Sequence, residues 1–162
     1  MQPGDEDFMR EALAEAAAAQ EAGEVPVGAV ITLDGQVISR GRNAVIGTSD
    51  PTAHAEIVAL RGAASLIGNY RLIGANIYTT IEPCVMCAGA LIHARISRLI
   101  YGAKDPKAGA VDSHFGICTS EVLNHRISVE GGILEDDCRR MLQSFFRDRR
   151  DAQIHAERCE SG

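Results

Sequence analysis

The stretch "TTIEPCVMCAGAL", Thr79 to Leu91, closes a β-rich run with Pro83 and then turns to small and apolar residues. Proline is tolerated in a first helical turn, so the segment reads as a short strand followed at once by a helix opened by Pro83 and running to about His93. It also holds Cys84 and Cys87 at CxxC spacing. Such a pair is two buried small side chains, a redox couple at a helix N-terminus, or half of a metal site.

Working outward, "NIYTT" supplies the strand before this helix and "RLIYGA" the strand after it. Upstream, "VPVGAVITLDGQVISRGRN" contains β-rich runs at 27–33 and 36–42, joined at Asp34-Gly35, a dipeptide that takes the positive φ angles of a tight hairpin. Thr52 is placed to cap a helix from Ala53 or His54 to about Ser65. Residues 5–22 read as a first helix, with Phe8, Met9, Ala12, Leu13, Ala16 and Ala19 inward and an acidic outer face. Residues 103–123 read as a loop, "RISVEGG" as a fifth strand, and Ile133 to about Arg150 as a last helix with Leu134, Met141, Leu142, Phe145 and Phe146 inward. The order α β β α β α β β α predicts an α/β fold: three layers, α/β/α, around a mixed sheet of about five strands. One domain over residues 1–150 is expected, with a disordered tail over 151–162 that carries Cys159 as a free thiol.

No run approaches a membrane span, and the acidic "MQPGDEDFMR" has no basic flank leading into an apolar segment, so a soluble cytoplasmic protein is expected. In a reducing compartment the five cysteines read as thiols or ligands rather than disulfides. The net charge of −6 is uneven. Residues 1–24 hold seven carboxylates against Arg10 and account for all of it. By contrast "RRMLQSFFRDRR", Arg139 to Arg150, sets five arginines against Asp148. Such a strip is a solvated helix end or a phosphate-binding surface on an otherwise acidic protein.

A metal needs more ligands than two cysteines. "DPTAHAEIVAL" puts His54 and Glu56 at the start of the preceding helix. Two parallel helices with their N-termini together would bring His54, Cys84 and Cys87 to one point. Three such ligands leave a fourth position for water, as in catalytic rather than structural zinc sites. In a first helical turn, His54 and Glu56 can face one pocket, which makes Glu56 a base beside the metal. The combination H-x-E…P-C-x-x-C is the signature of zinc deaminases.

With "GEVPVGAV", "GRN", "NYRL", "EPCVMCAGALIHARI", "GAKDPKAGA", "NHR" and "FFRDRR" added, residues 5–150 resemble the bacterial tRNA-specific adenosine deaminases of the cytidine deaminase superfamily. The resemblance implies a cytidine deaminase-like fold and one Zn2+ per subunit held by His54, Cys84 and Cys87. It implies Glu56 as the shuttle that moves a proton from the zinc-bound water to N1 of adenine, the same carboxylate then protonating the departing ammonia, giving inosine at the wobble position of an anticodon. It further implies Asn43 on the base edge, Val27 lining the pocket, Asp105 on the preceding nucleotide, and Phe146, Arg149 and Arg150 on the tRNA anticodon stem-loop. A homodimer is implied as well.

"DSHFGIC" in the 108–123 loop departs from the family pattern, where a small Gly-Ser-Leu-like stretch is usual. His114 and Cys118 form an incidental pair, and His125 reads as structural. Two other functions fit parts of the pattern. A deaminase of a free guanine or cytosine derivative needs the same metal site but no basic strip. A non-catalytic zinc-stabilised RNA-binding protein leaves Glu56 without a purpose.

Overall fold

Alternation along the strands places the helices. In the computed structural model, which describes residues 1–160 and side chains through residue 156, Ala29, Ile31, Ile77, Leu99 and Tyr101 face one side of a five-stranded sheet. Val30, Tyr78 and Ile100 face the other. The first set packs under α3 (Ala55–Ile67) and α4 (Val85–His93); the second packs under α1 (Asp5–Glu21) and the start of α5 (Glu135–Glu160). The three-layer α/β/α arrangement follows.

The strands are β1 (Gly28–Leu33), β2 (Gln36–Arg42), β3 (Asn76–Ile81), β4 (Arg98–Ala103) and β5 (Ser128–Gly131), in the order β2-β1-β3-β4-β5. The β1–β2 and β1–β3 pairs are antiparallel, whereas β3–β4 and β4–β5 are parallel. Asp34 and Gly35 both take positive φ, 51° and 74°, as the Asp-Gly hairpin requires. Where β2 crosses α3, Gly41 has no room for a side chain: a Cβ would stand 2.2 Å from the Ala55 carbonyl oxygen. That close approach carries Asn43, just past β2, to the first turn of α3.

Several local expectations are corrected. Thr52 does not cap α3; its N–H and hydroxyl donate to Asp50 Oδ1, and His54 occupies the cap position. Pro83 lies outside α4, one residue before its cap Cys84. A short helix, α2 (Val45–Thr48), overlaps the start of "GTSDPT", residues 47–52, whose composition reads as a loop, and a single 3₁₀ turn at Ile117–Thr119 interrupts the 103–123 loop. The last helix begins at Glu135 because Leu134 has a positive φ of 51°. It continues through Glu160 where a disordered tail was expected, since residues 151–160 contain no glycine or proline to stop it. The Cys159 side chain lies outside the described residues. Along α5 the buried side chains are Cys138 and Phe145, while Met141 and Leu142 are half-buried and Phe146 is exposed.

Asp5 also departs from its expected place on a solvated acidic face. It is 1% exposed, accepts the Tyr78 hydroxyl at 2.8 Å, and receives both guanidinium nitrogens of Arg98 at 3.2 and 3.3 Å. Burial alone would raise its pKa, but the bonds from Arg98, the Gln2 N–H and Tyr78 outweigh burial and hold it below the usual value. Arg98→Met, which strands a buried carboxylate, should lower unfolding free energy by about 3 kcal/mol in urea titrations. A carboxylate held below its unfolded value contributes stability that is present above about pH 4 and lost as pH falls through the lowered value. Asp5→Asn should therefore flatten the acid limb of a plot of urea midpoint against pH, and an unchanged limb would refute this role.

Candidate active site

Both metal-site segments arrive as helix caps. His54 precedes α3 and Cys84 precedes α4, each with extended backbone (φ −71°, ψ 153° and φ −74°, ψ 175°), so their side chains leave the helix ends instead of wrapping along them. The two helices lie side by side on one sheet face with their N-termini together. Cys87 sits three residues into α4, on the same side as its cap residue. His54 Nδ1 consequently lies 3.7 Å from Cys84 Sγ and 3.6 Å from Cys87 Sγ. Among the described residues, these three form the one cluster of histidine, cysteine and acidic side chains with metal-ligand geometry.

The separations suit zinc. Zn–S bonds of about 2.3 Å and Zn–N bonds of about 2.0–2.1 Å at a tetrahedral angle put nitrogen and sulfur about 3.6 Å apart. Without a cation the two thiols compete for one proton. The Cys87 side chain holds Cys84 down to about 5 against the effect of burial, helped by the Cys87 and Met86 N–H groups, while the bond to Cys84 and burial push Cys87 far up. A dication removes the conflict by stabilising both as thiolates.

Glu56, in the first turn of α3, is 2% exposed, and its Oε2 has no hydrogen-bond partner among the described residues. Burial is the main cause of its raised pKa, so it holds a proton more readily than an ordinary glutamate. An orphaned carboxylate oxygen beside a three-ligand set is placed to bond a molecule in the fourth position.

A cavity of about 400 Å³ opens onto these groups, lined by Val25, Val27, Asn43, His54, Glu56, Ile81, Glu82, Cys84, Asp105, Lys107, Ala108, Leu142 and Phe146. Asn43 Oδ1 accepts the Ala55 N–H at 3.0 Å, which fixes the amide and leaves its NH2 free of this bond. Asp105 Oδ1 accepts the N–H groups of Lys107 and Ala108. Phe146 is 44% exposed and meets Phe145 edge to face.

Lys107, Leu142 and Phe146 also line a second groove of about 540 Å³, together with Gln143, Arg147 and Arg150. The cavity therefore continues into a basic surface. The arginine strip divides by environment: Arg139 pairs with Glu135 and Asp136, Arg140 pairs with Asp137, and Arg147 and Arg150 face the groove with no ion pair among the described residues. Arg149 does not line this groove. Its guanidinium lies over the Phe145 ring and within 3.4 Å of the Gly23 carbonyl oxygen.

His125 Nε2 donates to the Ile96 carbonyl at 2.7 Å, a tie between the turns before β5 and β4, in keeping with a structural residue. His114 donates to the Pro106 carbonyl, while Cys118 is buried in the core, and the pair forms no metal cluster. Sequence reading missed Lys107, Arg147 and Glu82. The last had a signal: a lone carboxylate at the end of an apolar strand, directly before Pro83. Burial alone would raise the Glu82 pKa, but the Ser113 hydroxyl and the N–H groups of Ser113, Asp112 and Asp105 hold it low, so it is ionised.

The profile of the cytidine and deoxycytidylate deaminase zinc-binding region matches residues 3–103. The chain belongs to this family of zinc-dependent deaminases. Within it, the chain is 49% identical over 148 residues to the tRNA-specific adenosine deaminase of Haemophilus influenzae, covering 91% of this chain and 86% of that one. It is 48% identical to the tRNA-specific adenosine deaminase of Agrobacterium fabrum, covering 88% and 94%. A solved structure from work on A-to-I editing by tRNA:A34 deaminases at the wobble position superposes with a TM-score of 0.82 at 47% identity, covering 84% of this chain and 99% of that one. A guanine deaminase from Nitrosomonas europaea superposes with a TM-score of 0.75 at 26% identity, covering 89% and 84%.

Cys87→Ala and His54→Ala should each abolish stoichiometric zinc, read by elemental analysis. Chelation of the wild type should lower Tm by about 5 °C or more. Full zinc retention by Cys87→Ala would show that the ligand set is different.

Proposed function

We propose that the protein hydrolyses adenosine to inosine and ammonia at the wobble position of a tRNA anticodon. The observation that carries this reading is the continuity of the catalytic cavity with the groove lined by Lys107, Phe146, Arg147 and Arg150. A free base needs a closed pocket alone, whereas a nucleotide chain needs cations for its phosphates and aromatic faces for its bases. Relatives near 48% identity named as tRNA-specific adenosine deaminases support it over a free-base activity such as that of the guanine deaminase at 26%.

His54, Cys84 and Cys87 would hold one zinc ion per chain, which would supply a water whose pKa is lowered to about 7. Glu56 would accept a proton from that water and pass it to N1 of adenine as the water oxygen bonds to C6. It would then take the proton of the new C6 hydroxyl and deliver it to the amine, so that the C6–N bond breaks, ammonia leaves and the C6 carbonyl of inosine forms. Its raised proton affinity suits a group that must hold the proton between these transfers. The Asn43 amide, oriented by the Ala55 N–H, donates to the base edge, and Val27 forms an apolar wall. Asp105 faces the nucleotide before the target. Phe146 stacks on a flanking base, Arg147 and Arg150 meet phosphates along the groove, and Arg149, between them in the chain but outside the groove, contacts the stem-loop beside it. A non-catalytic RNA-binding role would leave Glu56 Oε2, buried and without a hydrogen-bond partner among the described residues, with no compensation.

Residues 1–150 act as one catalytic domain in this reading, and the substrate places it in the cytoplasm. No described helix is long and apolar enough to cross a membrane. A homodimer is supported by an apolar groove between α3 and α4, lined by Ile57, Leu60, Ala64, Tyr70, Leu72 and Ala90, with Tyr70 68% exposed at its edge. Tyr70→Glu should convert a dimer to monomer in sedimentation velocity, and a monomeric wild type would remove the proposal.

The decisive experiment incubates the zinc-loaded protein with an anticodon stem-loop bearing adenosine at the wobble position, with guanine and cytosine as controls. Inosine at that one position is expected; ammonia from a free base alone would overturn the reading. Glu56→Ala should keep zinc and RNA affinity but lose turnover by at least about 10³-fold. Arg147→Ala and Arg150→Ala should each weaken RNA binding and reduce the salt dependence by about one charge.

A further inference from the structure

Glu82 ends β3 directly before Pro83 and Cys84, and it is 1% exposed. No basic side chain pairs with it among the described residues. A buried carboxylate is tolerated only if hydrogen bonds replace the lost water. They all come from one loop. Oε1 accepts the N–H groups of Val111, Asp112 and Ser113 at 3.1, 2.7 and 2.8 Å. Oε2 accepts the Asp105 N–H at 3.1 Å and the Ser113 hydroxyl.

Both ends of the 105–113 loop thus hang on one carboxylate. Its middle is pressed against the same group: a Cβ added to Gly109 would stand 2.4 Å from Glu82 Oε2 and 2.6 Å from the Asp105 carbonyl oxygen. Asp105, Lys107 and Ala108 of this loop form one wall of the catalytic cavity, and Lys107 continues into the basic groove. Bonds inside the loop, from the Lys107 and Ala108 N–H groups to Asp105, shape the turn. The five bonds to the carboxylate, with one backbone bond from the Ala110 N–H to the Pro83 carbonyl at 2.9 Å, tie that turn to the segment bearing two of the metal ligands.

We propose that Glu82 is a positioning residue for substrate recognition, holding the nucleotide-facing loop 105–113 at a fixed distance from the Cys84–Cys87 segment. The inference rests on the RNA-editing reading for the identity of the ligand. Its role is separate from proton transfer and from metal ligation. Glu82→Gln keeps the shape but turns one acceptor oxygen into an NH2 that faces backbone N–H donors, so at least one tie to the loop is lost in either amide orientation.

The test compares full-length, zinc-loaded wild type, Glu82→Gln and Gly109→Ala on the wobble-adenosine stem-loop, with zinc content and amide hydrogen exchange measured on the same samples. The expected result for Glu82→Gln is unchanged zinc, amide exchange at 105 and 111–113 faster by about tenfold or more, and KM raised about tenfold with kcat changed by less than about threefold. Gly109→Ala, which disturbs the same contact from the loop side, should shift KM the same way, and the double variant should be no worse than the weaker single one. Unchanged exchange, faster exchange with unchanged KM, or zinc loss with a fall in kcat would each overturn the positioning role. A wild type inactive on the stem-loop would instead refute the RNA reading, and the exchange comparison would still decide whether Glu82 holds the loop.

Discussion

A carboxylate and two sulfurs share a buried pocket at the N-termini of α3 and α4, and that concentration of acidic groups is the constraint to which the rest of the site answers. Glu56 Oε2 has no hydrogen-bond partner among the described residues, and the contact between Cys84 and Cys87 lowers the pKa of the first thiol while raising that of the second. A zinc ion held by His54, Cys84 and Cys87 would balance two thiolates and leave a fourth position for a group that Glu56 could bond. The same atoms that would make the apo site unfavourable make the loaded site reactive.

Holding these groups together is the task of the sheet order. Parallel pairing of β3 with β4 needs a crossover, and α4 supplies it, so Cys84 emerges where β3 ends. The hairpin β1–β2 lies on the other side of β3, and the close approach at Gly41 sets α3 beside α4 with His54 at its cap. Asn43 then does two things at once: its side-chain oxygen satisfies the first N–H of α3, and the residue lines the cavity. Glu82 links the same strand end to the opposite wall. The Cys84–Cys87 pair, the Asn43 amide and the loop are therefore all referred to the ends of β2 and β3, on either side of β1.

Electrostatics divide the molecule. The acidic N-terminal helix packs across the face opposite the site and sinks one of its carboxylates, Asp5, against Arg98 and Tyr78. On α5, the first-turn acids Glu135, Asp136 and Asp137 neutralise Arg139 and Arg140, which leaves the local positive charge at Arg147 and Arg150 beside the cavity. An acidic protein can carry a phosphate-binding surface this way because screening makes the field within about 10 Å matter more than the net charge.

Much of this was legible in the sequence by itself. The strand and helix order, the Asp-Gly hairpin, and the pairing of His54 and Glu56 with Cys84 and Cys87 all follow from local rules, namely period, turn chemistry and ligand spacing, which act over a few residues at a time. Only the tertiary structure decided what depends on neighbours distant in the chain. It chose His54 over Thr52 as the cap, because Asp50 captures the Thr52 hydroxyl. It buried Asp5, turned Arg149 toward Gly23, and set Glu82 under a loop 23 to 31 residues away. A charged residue reads as exposed until its partners are known, and partners that come from another element leave no periodic trace in the segment that needs them.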